Sequence, residues 1–174
     1  MSAFVYGTLQ YPQVLQALIS RVPRMEPAVI RGYQRHSIRG QVFPGTVPAA
    51  ADSCVSGLVL FDLQPAEMEI LDEFEGDEYY KQAVAAELAS GGTADTIVYL
   101  WQDSLRPLLY GEWDPEDFRE RELERYVVMC RQFAQDVAAH RGWKGNFPSP
   151  SSSEQAEAAA EAAAALEQQQ WGGV

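Results

Sequence analysis

Four apolar residues in succession, Ala3-Phe4-Val5-Tyr6, run without polar alternation into Gly7-Thr8. A run of this kind reads as a short strand buried on both faces that enters a loop, so the chain begins in its own core. Pro12 then opens a helical stripe through Val14, Leu15, Leu18, Ile19 and Val22, closed by Pro23. Strand patterns follow over Val29 to Ile38, Val55 to Leu63, Gln82 to Leu88 and Thr96 to Trp101, each bounded by Gly, Pro or Ser. A second helix is predicted from Pro65, with Met68, Leu71 and Phe74 on one face and Gly76 placed to end it as a left-handed C′ residue. Asp114-Pro115 is an N-cap followed by proline at the first helical position, and it opens a third helix that the stripe Phe118, Leu123, Tyr126, Val127, Cys130, Phe133, Val137 carries to about His140. Hairpin-length connections mixed with helical crossovers predict an α+β domain rather than a doubly wound sheet.

From Pro148 the composition changes. Ser149-Pro150-Ser151-Ser152-Ser153 reads as a linker, and Glu154 to Gln170 is almost wholly Ala, Glu and Gln. Residues 148–174 are therefore expected to be a low-complexity tail, helical or fraying, appended to a domain over 1–147. The tail holds Glu154, Glu157, Glu161 and Glu167 and no basic residue, so the body shares in the net charge of −12. An acidic chain without a basic block is poorly suited to nucleic acid or an anionic membrane, since both need Lys and Arg to neutralise phosphate. A small molecule or a protein remains as partner. No apolar run reaches the roughly 18 residues that cross a bilayer, and a soluble cytoplasmic protein is expected. Cys54 and Cys130 stand far apart with no zinc spacing, and both are expected to be buried small apolar residues rather than a bridge.

Two segments carry possible chemistry. In Tyr6-Gly7-Thr8-Leu9 a strand runs into a glycine turn whose N–H groups can face a cavity and hold a carboxylate, with the Thr8 hydroxyl as a further donor. Read alone the motif is weak, and local physics favours an ordinary strand-ending turn. The second is Asp72-Glu73-Phe74-Glu75-Gly76-Asp77-Glu78, five carboxylates in seven residues at a helix end. Mutual repulsion and the negative end of the helix dipole both disfavour ionisation, so a partly buried member gains a raised pKa and the character of a base. Asp72 and Glu73 can point to water, whereas Glu75 leaves the helix beside Gly76, which singles it out. The competing reading is a solvated acidic turn. His36 reads as a surface or satisfied histidine, and Tyr79-Tyr80 and Tyr110-Gly111-Glu112-Trp113 as core or lid aromatics, one of which can line a pocket.

Taken together, Phe4-Val5-Tyr6-Gly7-Thr8-Leu9, Gly57-Leu58-Val59-Leu60 and Leu71 through Tyr79 resemble the gamma-glutamylcyclotransferase-like family, in its plant AIG2-like group. Gly40-Gln41-Val42-Phe43-Pro44 and Leu109-Tyr110-Gly111-Glu112-Trp113-Asp114 extend the resemblance over about residues 3–140, with no counterpart for the tail. The resemblance implies a small mixed β-barrel flanked by helices, a substrate-holding loop at Tyr6, Gly7, Thr8 and Leu9, and Glu75 as catalytic acid/base. Gln10 follows the loop where many relatives carry a basic residue and the plant-like branch tends to carry glutamine. The implied reaction needs no cofactor: the α-amine of a gamma-glutamyl amine or amino acid attacks its own γ-carbonyl, giving 5-oxoproline and the free amine. Tyr80 and Tyr110 are the candidates offered for contacting the γ-carbonyl oxygen. The alternatives are a non-catalytic, stress-related binding protein that keeps the pocket and a two-carboxylate hydrolase using Glu75 with Glu78 or Asp72.

Overall fold

A computed structural model describes residues 1–140; the expected tail lies outside the described residues. Its strands are β1 (Ala3–Val5), β2 (Met25–Arg31), β3 (Tyr33–Ile38), β4 (Pro44–Pro48), β5 (Cys54–Leu60), β6 (Tyr79–Leu88), β7 (Thr93–Trp101) and β8 (Leu109–Tyr110). Its α-helices are α1 (Pro12–Ile19), α2 (Pro65–Glu75), α3 (Pro115–Arg121) and α4 (Leu123–Ala139). The first, fifth, second, sixth and seventh strands close a barrel in that order, and β4-β3-β8 form a separate three-stranded sheet. The architecture is the α+β class that the residue patterns predict, in the form of the barrel with flanking helices that the resemblance implies.

Strand alternation explains why β1 is apolar on both sides. Phe4 and Tyr6 turn into the barrel, against Ile30, Val59, Val98 and Leu100, while Ala3 and Val5 face Leu15, Leu18, Leu71 and Tyr126 of the helical layer. β1 lies antiparallel to β5 and parallel to β7, with Phe4 opposite both Val59 and Val98. The closure is tight at Gly57, where a Cβ would stand 2.3 Å from the Val5 carbonyl oxygen.

Three sequence expectations are revised. The Val29–Ile38 pattern is two strands, because Gly32, at a φ of +79°, swings the chain out of the barrel into the second sheet. The helix from Pro115 breaks at Glu122: the five-residue step from Phe118 to Leu123 falls off the 3.6-residue stripe, and two shorter helices let both residues turn inward. Asp114 caps the first of them, its Oδ1 accepting from the Glu116 and Asp117 N–H groups at 2.9 and 3.3 Å. Both cysteines are free, but only Cys130 is buried; Cys54, at the start of β5, alternates outward from Val55 and is exposed.

Candidate active site

The end of α2 and the loop after β1 open onto one cavity of about 150 Å³. Gly76 follows Glu75 with a φ of +67°, which turns the chain away from the helix and through a short 3₁₀ turn into β6. The turn leaves Glu75 on the cavity wall with Phe74, Glu78 and Tyr79. Its carboxyl is pushed up to about 8, first by burial and then by the charges of Glu78 and Asp72. Among the described residues no cation acts on it. An acid of this strength is a competent proton acceptor and donor near neutral pH.

Asp72 does not simply point to water as its place in the sequence suggests. Its Oδ1 accepts from the Tyr99 phenol at 2.7 Å and its Oδ2 pairs with Lys81 Nζ at 2.7 Å. Glu73 and Asp77 are exposed. The acidic segment thus sorts into one anchored carboxylate, two solvated ones, and Glu75 and Glu78 on the cavity.

Tyr6, Gly7, Thr8 and Leu9 all line the same cavity. Thr8–Gln10 form a 3₁₀ turn closed by the Gln10 N–H donating to the Gly7 carbonyl at 3.1 Å, so the leading N–H groups of Thr8 and Leu9 have no acceptor within the turn. The turn is braced from three directions. Gln10 Nε2 donates to the Gly7 carbonyl at 3.2 Å, Arg35 Nη1 donates to the Tyr6 carbonyl at 2.7 Å, and the Pro44 ring leaves no room for a side chain at Gly7, where a Cβ would lie 2.8 Å from Cγ. Pro44 is itself held by the Tyr79 phenol, which donates to its carbonyl at 2.8 Å.

Not every site residue expected from the sequence comes to the cavity. Gln10 braces the loop from outside it. Tyr80 alternates away from Tyr79 along β6 and packs with the barrel-interior cluster, and Tyr110 is 49% exposed on β8 with the Arg39 guanidinium over its ring. Neither lines the cavity. The phenols that do are Tyr6, directly after β1, and Tyr79, Tyr99 and Tyr126 from β6, β7 and α4. Burial raises the pKa of all four, so they are neutral donors. Tyr126 reads in the sequence as one more member of a helical stripe, and Tyr99 as one more residue of an apolar strand. Tyr6 was marked by the motif that it opens; for the other three, only strand alternation in Tyr79-Tyr80 carried any signal of which phenol would face the site.

Arg35 is the other residue without a sequence signal. Its guanidinium lies over the Trp113 ring at 5.1 Å, and its Nε is buried with no hydrogen-bond partner among the described residues. Burial lowers its pKa, so a half-buried cation stands directly behind the Tyr6 carbonyl. Among the described residues no helix is long and apolar enough to cross a membrane.

Known proteins share this architecture. The family described as gamma-glutamyl cyclotransferase, AIG2-like, matches residues 3–115. AIG2-like protein D of Arabidopsis thaliana is 37% identical over 138 residues, covering 78% of this chain and 90% of its own, and AIG2-like protein C of the same plant is 36% identical over 134 residues, covering 76% and 77%. A solution structure of an Arabidopsis thaliana protein, 27% identical, superposes with a TM-score of 0.59 over 80% of this chain and 92% of that one. A solved gamma-glutamyl cyclotransferase, 12% identical, shares the fold at a TM-score of 0.52, covering 92% and 98%. A barrel closed by a doubly buried first strand, with its loop and a glutamate from α2 on one cavity, together with these matches, makes the chain a member of the gamma-glutamyl cyclotransferase, AIG2-like family.

Proposed function

We propose that the protein converts a gamma-glutamyl amine or gamma-glutamyl amino acid into 5-oxoproline and the free amine, with Glu75 as the acid/base. The observation that carries this reading is the shared cavity: a carboxyl with its pKa pushed up to about 8 lines the same space as a loop whose leading N–H groups suit a carboxylate. The substrate's α-carboxylate rests on the Thr8 and Leu9 end of the loop. That contact folds the glutamyl chain so that its α-nitrogen approaches the γ-carbon. Holding a reacting pair in this way supplies up to roughly 7–11 kcal/mol in favourable systems.

The α-ammonium first gives a proton to the Glu75 carboxylate, a transfer close to thermoneutral because α-amines titrate at about 8 or somewhat above. The freed nitrogen pair bonds to the γ-carbon, and the carbonyl π pair moves onto oxygen. The protonated Glu75 then gives its proton to the leaving nitrogen while the ring nitrogen returns one. The carbonyl re-forms as the bond to the leaving amine breaks. Released amine takes up the last proton, and Glu75 is again a carboxylate. No group beyond the chain and its substrate is needed.

This reading makes 1–147 the catalytic unit, with 148–174 appended to it, and puts the protein in a reducing cytoplasm, to which free thiols at Cys54 and Cys130 are suited. The test is release of 5-oxoproline from a panel of gamma-glutamyl compounds by the full chain and by Glu75→Gln. The native protein is expected to turn over at least one class of compound and the variant none. Binding without turnover by both proteins supports a ligand-binding module instead.

A further inference from the structure

We propose that the Tyr126 hydroxyl is the donor that stabilises the oxyanion forming on the γ-carbonyl during ring closure. This rests on the cyclisation reading above and adds to it the group that the sequence left unnamed.

The argument turns on where four protons go. A neutral phenol has one proton to donate. Tyr6 donates its proton to the Tyr99 carbonyl oxygen at 2.6 Å, Tyr79 to the Pro44 carbonyl at 2.8 Å and Tyr99 to Asp72 Oδ1 at 2.7 Å. At Tyr126 the polarity is reversed. Its oxygen accepts from Thr8 Oγ1 at 3.2 Å, and among the described residues no acceptor takes its own proton. Among the described residues, Tyr126 is therefore the one phenol lining the cavity with a proton available to a ligand.

Its ring is held in place on two sides. Phe118 meets it edge-on at 5.3 Å and 78°, and Phe74, the neighbour of Glu75 on α2, at 6.2 Å and 86°. A donor fixed by packing needs no reorganisation when charge develops. Thr8 ties the phenol to the loop that holds the α-carboxylate, and a hydroxyl that is already accepting a hydrogen bond is a stronger donor. Burial raises the phenol pKa and the Glu75 charge raises it further, so Tyr126 keeps its proton and acts in the same field as the acid/base.

During the reaction Tyr126 transfers nothing. As the α-nitrogen bonds to the γ-carbon, the displaced π pair sits on oxygen and accepts a hydrogen bond from the phenol. The contact weakens when the carbonyl re-forms and the amine departs with its proton from Glu75.

The experiment is steady-state kinetics of 5-oxoproline release by the full-length protein and Tyr126→Phe. A parallel binding measurement uses an N-alkyl glutaramate, which keeps the carboxylate and amide but lacks the attacking amine. Tyr126→Phe is expected to lower kcat about 10²–10³-fold, the usual loss for one oxyanion donor, with KM and analogue affinity unchanged. Native kcat in the variant, or parallel losses of kcat and analogue affinity, overturns the assignment and leaves the cyclisation reading standing. No product from the native protein overturns both. If Tyr126→Phe does not fold, 3,5-difluorotyrosine at position 126 preserves shape and acidifies the phenol. It is expected to add a falling alkaline limb to the pH–rate profile, and an unaltered profile overturns the proposal.

Discussion

The Tyr99 phenol donates to Asp72 Oδ1 over 2.7 Å, and the second oxygen of the same carboxylate holds Lys81 Nζ. The anchored charge is one of the two that push Glu75 upward, after burial. In the proposed reaction Glu75 is a base only when ionised, so kcat/KM is expected to rise with pH along a limb near 8. Asp72→Asn keeps an oxygen for Tyr99 and removes the charge, so it should move that limb to lower pH by less than the full displacement, because burial remains. A pH–rate profile of both proteins checks this, and a limb that stays in place removes Asp72 from the electrostatics of the site.

Glu75 also ties stability to pH. Its folded pKa of about 8 lies above the ordinary 4.5, so between those values the folded chain holds a proton that the unfolded chain releases. The contribution is complete below pH 4.5 and is lost as pH rises to about 8, at about 1.4 kcal/mol per pH unit. Glu75→Gln abolishes that slope. Urea unfolding at pH 5, 6.5 and 8 should show the native protein weakening more steeply than the variant, which should be the more stable of the two at pH 8.

At Gly7, an added methyl meets the Pro44 ring at 2.8 Å, and the loop or β4 has to move. Gly7→Ala is expected to cost about 1–3 kcal/mol of stability, in line with overpacking elsewhere. The larger effect should fall on KM, because the turn proposed to hold the carboxylate begins at this residue. Thermal melts beside kinetics separate the two.

Gly57→Ala should behave differently. The new Cβ would meet the Val5 carbonyl at 2.3 Å and Phe4 Cζ at 2.8 Å, inside the barrel wall where backbone cannot yield. Loss of cooperative folding or a large drop in Tm is expected, with little soluble protein; a native-like melt refutes the tight closure of β1 on β5.

Much of this molecule is local and was legible as such. The unbroken run before Gly7, the proline-led starts at Pro12, Pro65 and Pro115, the Asp114 cap and the crowded carboxylates around Glu75 each depend on near neighbours in the chain. Their consequences follow from periodicity, capping and charge repulsion alone. The switch of sheets at Gly32 and the break at Glu122 were hidden, because each is set by what the flanking segments must bury on another element.

The cavity's phenols other than Tyr6 belong to the tertiary level. Tyr79, Tyr99 and Tyr126 are ordinary apolar-pattern residues in sequence, and what distinguishes the four phenols is whether each proton finds an acceptor, as it does 93 positions away for Tyr6 and 35 for Tyr79. The sequence by itself singled out a loop after the first strand and a carboxylate at the end of a helix as the candidate chemical features of this chain. Only the closed barrel decided that they share one desolvated space, and which hydroxyl there is left with a proton to give. Hydrogen-bond partners and burial are pair properties of residues brought together by folding, and no single stretch of chain contains both members of the pair.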